Sequence, residues 1–195
     1  MDLSALGIAA RPYRVIPIQD RNLVSDFIAG KFQVIGVECN ARGVYGSPVQ
    51  QSLKRRFPEM VKKLESMDYS GGDIIGRTIV SQVQTKHSLR LFVANMFITN
   101  GFGIGRNDRG KSSPINRFSA RYLEQAFESL LEQCEQRNIA PDRQIAVQRM
   151  YGGLGGVSWE EVCQVLDSIC EKYKFNMMAY LPQNYNSKYV RGTAK

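Results

Sequence analysis

Apolar and polar positions along this chain follow two periods. Runs rich in β-branched and aromatic residues at Tyr13–Ile18, Phe32–Val37, Thr78–Val83, Leu89–Ile98, Gln144–Val147 and Phe175–Leu181 predict strands. Between them, apolar residues recur at helical spacing in three places. The first helix is predicted to start at Ser47, with Pro48 at its first position and Gln50 completing a capping box. Its stripe is Val49, Leu53, Phe57, Met60, Val61 and Leu64, and Pro58 should kink or break it. The second follows Ser119 and lines up Tyr122, Leu123, Ala126, Phe127, Leu130, Leu131 and Cys134. The third starts at Ser158 with Glu161 as its capping-box partner, and buries Trp159, Val162, Cys163, Leu166, Ile169, Cys170 and Tyr173. Strands interleaved with helices predict a layered α/β domain. Strands joined through these helices should be parallel, with ligands beyond their carboxyl ends.

Two glycine-rich turns fall at that edge. One runs Cys39-Asn40-Ala41-Arg42-Gly43-Val44-Tyr45-Gly46-Ser47-Pro48, the other Tyr151-Gly152-Gly153-Leu154-Gly155-Gly156-Val157-Ser158-Trp159. Each leads from a strand into a helix N-terminus, where backbone N–H groups and the positive end of the helix suit a phosphate. A simple connection accounts for one glycine. It accounts less well for Gly43, Gly46, Asn40 and the capping Ser47 together, or for Gly152, Gly153, Gly155 and Gly156, since each glycine loses extra chain entropy on folding. Close approach of the backbone to a diphosphate-bearing ligand explains both turns. Asn40, at the strand end, could bond a ligand hydroxyl or water.

The length, 195 residues, predicts one compact domain, and 43% apolar residues suffice for a core. Residues 1–183 are assigned to that domain and 184–195 to a basic tail expected to be mobile. No apolar stretch approaches the roughly 20 residues of a membrane span, and Met1–Ala10 does not read as a signal peptide. Cys39, Cys134, Cys163 and Cys170 lack metal-ligand spacing, so no metal or cofactor is expected, and a reduced, cytoplasmic protein is. The net charge of +8 fits a polyanionic partner without identifying one. Arg106, Arg109, Lys111, Arg117 and Arg121 cluster in one segment, which keeps nucleic acid among the candidate partners.

Other chemistry is thinly represented. Gly105 to Ser112 matches the phosphate-binding loop of nucleoside triphosphatases, but no strand directly precedes it and Pro114 interrupts the helix start. A triphosphatase is therefore the remote alternative. His87, the only histidine, sits in a polar turn, so no Ser-His-Asp or Cys-His set can be built without it. Asp26 precedes the strand leading into the first turn and by itself reads as a cap or turn residue.

Together the two turns, with Arg56-Phe57-Pro58-Glu59 and Asn95-Met96-Phe97-Ile98-Thr99-Asn100-Gly101-Phe102-Gly103 between them, resemble the macro domain family over roughly Val24 to Leu181. The resemblance is to the branch of ADP-ribose-1″-phosphate phosphatases, the terminal ADP-ribose glycohydrolase and phage proteins. It implies a three-layer α/β/α domain with a mixed, mostly parallel sheet that binds ADP-ribose. By the resemblance, Asp26, with Phe27 and Ile28, would recognise adenine, Asp20 being the rival. Asn40 would lie beside the distal ribose with Asn100 nearby. Gly43, Val44, Gly46 and Ser47, with Gly152, Gly153, Leu154, Gly155 and Gly156, would wrap the diphosphate.

The departures concern catalysis. Phosphatases of this branch carry a His where Val37 stands, and the glycohydrolase's Lys and Asp are replaced by Asn100 and Gly155. Tyr151 stands where the family has a glycine. Asn40, Glu38, Ser47 and Asn100 remain as polar candidates, with Asn40 the expected catalytic residue. The resemblance implies hydrolysis at the distal ribose of ADP-ribose-1″-phosphate or of ADP-ribosylated macromolecules. The alternative is a non-catalytic reader of ADP-ribose, including ADP-ribosylated nucleic acid.

Overall fold

The computed structural model describes residues 12–68, 73–85, 89–99, 104–106, 112–114, 118–151 and 157–182. In chain order these form β1 (Val15–Ile18), α1 (Leu23–Ile28), β2 (Val34–Asn40), α2 (Pro48–Arg56), α3 (Pro58–Glu65), β3 (Thr78–Val83) and β4 (Leu91–Thr99). There follow β5 (Ile104–Arg106), β6 (Ser112–Pro114), α4 (Ala120–Gln136), β7 (Ile145–Gln148), α5 (Trp159–Tyr173) and β8 (Met177–Tyr180). The main sheet runs β1-β8-β7-β2-β4-β3, parallel except for β3 against β4.

Two apolar clusters sandwich it. Val34, Phe92, Ala94, Met96 and Val147 pack with Phe127 and Leu130 of α4 and Trp159 and Leu166 of α5. Ile35, Val37, Cys39, Val93 and Phe97 pack on the opposite face with Phe27 of α1, Leu53 of α2 and Val61 and Leu64 of α3. This is the three-layer α/β/α arrangement that the resemblance implies. Each such fully buried side chain contributes about 1.5–3 kcal/mol by leaving water. Gly36 leaves room for its register partner on β7: a Cβ there would meet Val147 Cγ1 at 2.8 Å.

The helix starts follow the side-chain chemistry of their caps. Ser47 and Ser158 form reciprocal capping boxes with Gln50 and Glu161, and Ser119 accepts from the Tyr122 N–H. One expectation fails. The strand after the first helical region, β3, is antiparallel to its neighbour rather than parallel. Pro58 does more than kink that region: it ends α2 and starts α3, and Lys54 on α2 pairs with Glu65 at the far end of α3 at 2.5 Å. The two helices thus double back, and the chain enters β3 from the carboxyl end of β2.

Helix α4 covers the outer edge of β3. Gln133 accepts from the Val80 N–H and donates to the Thr78 carbonyl, and Ser129 Oγ accepts from the Thr78 N–H. At the other end of the sheet, Asp167 of α5 accepts from the Val15 N–H of β1 at 2.8 Å.

The structure removes the triphosphatase alternative. Ser112 lies in β6, which pairs antiparallel with β5, and the next helix begins only at Ala120. A phosphate-binding loop needs a helix opening at that Ser. Among the described residues, no helix is long and apolar enough to cross a membrane.

Candidate functional site

The parallel strands β1, β8, β7, β2 and β4 end on one edge, and the first turn rises from it at Asn40. The register between β2 and β4 shifts there: Cys39 faces Phe97 and Asn40 faces Thr99. Ile98 is left without an opposite number, as in a β-bulge. Its carbonyl instead accepts the Tyr151 hydroxyl at 2.9 Å.

The first turn holds itself together. Asn40 Oδ1 accepts from the Arg42 and Val44 N–H groups, and its Nδ2 donates to the Val44 carbonyl at 2.7 Å. The Gly43 N–H donates to the Asn40 carbonyl, with Gly43 at φ +73°, where glycine is favoured. Gln50 Oε1 takes the Gly46 and Ser47 N–H groups, each at 2.7 Å. Gln50 Nε2 reaches back to the Glu38 carbonyl. The N–H groups of Arg42, Gly43, Val44, Gly46 and Ser47 are thus satisfied within the turn and its helix. Val44 at its tip is 43% exposed, an apolar surface facing solvent.

Beneath the turn, Cys39 is buried between Gln50 Nε2 and Asn95 Oδ1. Burial pushes its thiol up to about 12, so it stays protonated and is no nucleophile at neutral pH. Val37 is fully buried and belongs to the cluster under α1–α3.

Alternation along β2 points Glu38 to the other face, toward α4 and α5. Glu38 Oε2 accepts from the Tyr151 N–H at 2.8 Å. Tyr151 is the residue that opens the second glycine turn. It has φ +53°, its ring is buried, and it meets Phe118 edge-on at 4.9 Å. Burial raises the Glu38 carboxyl above the usual range, and the Tyr151 N–H only partly counters it. Glu38 makes no ion pair among the described residues.

Asp26 lies in α1, a short helix capped by Asn22 that the sequence reading did not anticipate. Its carboxylate takes Arg21 Nε at 2.6 Å, Lys31 Nζ at 3.2 Å and the Tyr180 hydroxyl at 2.8 Å. Burial alone would raise this carboxyl, but the bonds from Arg21, Tyr180 and Lys31 outweigh it and hold it below the usual range. Phe27 is fully buried against Phe32 and Phe57, and Ile28 is half-buried. Asp20, the rival, is exposed just past β1, with φ +55°. Asn100, Gly152, Gly153, Leu154, Gly155 and Gly156 lie outside the described residues, as do His87 and the tail.

The sequence-predicted residues therefore gather in two places, the ends of β1 and β8 around Asp26 and the ends of β2 and β7 around Asn40. The Glu38–Tyr151 contact was missed, although one signal pointed to it. A charged residue inside Val34-Ile35-Gly36-Val37-Glu38-Cys39, a run otherwise apolar, needs a partner. Among the described residues, no group of three or more His, Cys, Asp or Glu side chains could hold a metal ion.

No protein-family model matches the chain, and neither does any curated protein. Solved structures do. The macrodomain of Mycobacterium tuberculosis DarG is 22% identical with a TM-score of 0.61, over 85% of this chain and 97% of that one. Thermosipho africanus DarTG in complex with ADP-ribose is 16% identical with a TM-score of 0.64, over 85% of this chain and 42% of that one. The macrodomain of Thermus aquaticus DarG is 19% identical with a TM-score of 0.58, over 85% and 98% respectively. The strand order, the three layers and these likenesses agree: the chain has the macrodomain fold.

Proposed function

We propose that this chain binds ADP-ribose along the carboxyl edge of its sheet and hydrolyses the bond that joins the distal ribose to another group. One observation carries the reading. The first glycine turn and the start of the second stand at the ends of the neighbouring strands β2 and β7, tied together through Glu38 and Tyr151. A similarly folded protein, DarTG, is found with ADP-ribose. Because the first turn's N–H groups already donate internally, the reading gives that turn the role of a pre-shaped wall, with Val44 against the ligand. The diphosphate's hydrogen bonds fall to Gly152, Gly153, Leu154, Gly155 and Gly156. Asn40 shapes the distal-ribose end, and the adenine end lies toward Asp20 and Asp26.

Calorimetry with ADP-ribose tests the binding. The wild type should bind, and Gly153→Glu, which sets a carboxylate at the diphosphate position, should abolish the signal. No binding at millimolar ligand overturns the proposal. Turnover of ADP-ribosylated protein and DNA, compared with Asn40→Ala, tests the chemistry.

A second reading, a reader without turnover, is favoured by the Asn40 amide being occupied in its own turn, with two N–H groups on Oδ1 and one Nδ2 hydrogen given to the Val44 carbonyl. The protonated Cys39 and the inward-facing Val37 point the same way. Binding without turnover across the panel selects it. Salt-sensitive retention on nucleic acid, lost when 184–195 is removed, would add a nucleic-acid partner to either reading. The expectation of a reduced, cytoplasmic setting accompanies both.

A further inference from the structure

A groove of about 640 Å³ opens to solvent between the start of α3 and β3, and every residue lining it is described. It follows β3 from Ile79 to Gln84. Because β3 runs against β4, with Val83 opposite Leu91, the groove opens toward the amino edge of the sheet, the end opposite Asn40. Its floor is apolar. Phe57 and Ile79 are half-buried beside the cluster under α1–α3, and Pro58 is exposed. Ser81, on the same face of β3 as Ile79 by alternation, adds a hydroxyl. The rim is charged. Glu59 is matched by Lys62 at 2.8 Å, whereas Arg56 and Lys63, both exposed, meet no carboxylate in any ion pair among the described residues. An apolar floor is thus bordered by a surplus of positive charge.

We infer that this groove docks an extended, acidic segment of a partner protein, its apolar side chains on the floor and its carboxylates toward Arg56 and Lys63. Charge complementarity selects the acidic partner, and the apolar floor selects a peptide over a bare polyanion. Single-stranded nucleic acid is held by a continuous basic track with aromatic faces for its bases. Here the rim also carries Glu59, and the one aromatic lining residue, Phe57, is already engaged edge-on with Phe27 at 6.4 Å. The segment does not join the sheet as a seventh strand. Ser129 and Gln133 already hold the outward backbone groups of Thr78 and Val80, so it lies over the face of β3 beside α3. The surface is separate from the carboxyl edge and adds a protein-binding function to whatever that edge binds.

Fluorescence anisotropy on the full chain tests this with three labelled probes of matched length. One is a peptide of about seven residues alternating aspartate and leucine, long enough when extended to run the length of β3. The others are its lysine–leucine counterpart and an oligothymidine. The aspartate–leucine peptide should bind at least about tenfold more tightly than the lysine–leucine one. Arg56→Glu combined with Lys63→Glu changes exposed side chains only and should weaken it by about tenfold or more. Ser81→Trp fills the groove without altering charge and should weaken it by a similar factor, with the urea midpoint of each variant confirming that the fold is kept. Absence of binding at millimolar peptide, or equal affinity for the two peptides, overturns the inference. Binding that survives the charge reversal places the attraction elsewhere on a basic chain and overturns it too. Loss in the charge variant but not in Ser81→Trp moves the contact off the β3 face, with the same consequence. Tighter binding of oligothymidine, lost in the same variants, makes the partner a nucleic acid and overturns the peptide assignment.

Discussion

Asp26 and Glu38 are two carboxyl groups near the same edge of one sheet, both drawn out of water, and their acidities move in opposite directions. Asp26 sits between two cations and a phenol, which outweigh its burial. Glu38 meets, among the described residues, one backbone N–H at its carboxylate, which does not. A buried carboxylate that is over-supplied with donors holds elements together: Asp26 links α1, the loop before it and the end of β8. One that is under-supplied is a cost to the fold, and groups of that kind concentrate where chemistry or recognition needs them.

The linkage to pH follows from the two directions. The native Asp26 carboxyl lies below its unfolded value near 4, so its contribution is complete above that value and is lost as the pH falls through the native one. The native Glu38 carboxyl lies above its unfolded value near 4.3, so stability falls as the pH rises from there to the native value and is flat beyond it.

Removing Asp26 should break the molecule most. Asp26→Ala strands Arg21, Lys31 and the Tyr180 hydroxyl and should cost about 2–3 kcal/mol at neutral pH, read from the urea midpoint. A loss under about 0.5 kcal/mol would remove the distinction drawn between the two groups. Tyr180→Phe deletes one of the three donors and should cost about 1 kcal/mol while raising the Asp26 carboxyl, a shift that carbon-detected titration follows directly. The smallest change is expected at Glu38. Glu38→Gln should match the wild type in acid and gain up to about 1 kcal/mol above the native Glu38 titration, since it relieves a desolvated charge. Loss of stability in that variant at neutral pH would mean that the carboxylate, charge included, serves the fold.

Local chemistry made much of this legible from sequence. Ser47 with Gln50, Ser119, and Ser158 with Glu161 announced three helix starts, because a cap is written within four residues. Helix α1 escaped notice because Leu23–Ile28 is too short to show a period. The reversed β3 escaped for a different reason. Pro58 signals a break, but whether two helices continue or fold back is decided by tertiary packing, here the burial of Leu53, Val61 and Leu64 in one cluster, with the exposed Lys54–Glu65 pair outside it. The site divides similarly. Asn40 and the glycines stand out in the sequence, whereas the bonds from Tyr151 to Glu38 and Ile98 join strands far apart in the chain. Gln50 was visible as a cap, yet its grip on the Gly46 N–H and the Glu38 carbonyl appears only in three dimensions.

The side chains that cover the two ends of the sheet have a consequence beyond holding helices in place. A terminal strand offers its outward backbone groups to any strand that passes, including one from a second copy. Here Gln133 and Ser129 occupy such groups on β3, and Asp167 occupies one on β1. The layer formed by α4 and α5 therefore fixes the width of the sheet at six strands as well as burying one of its faces. Any additional strand would have to displace an amide or a carboxylate before it could form its first hydrogen bond at those positions.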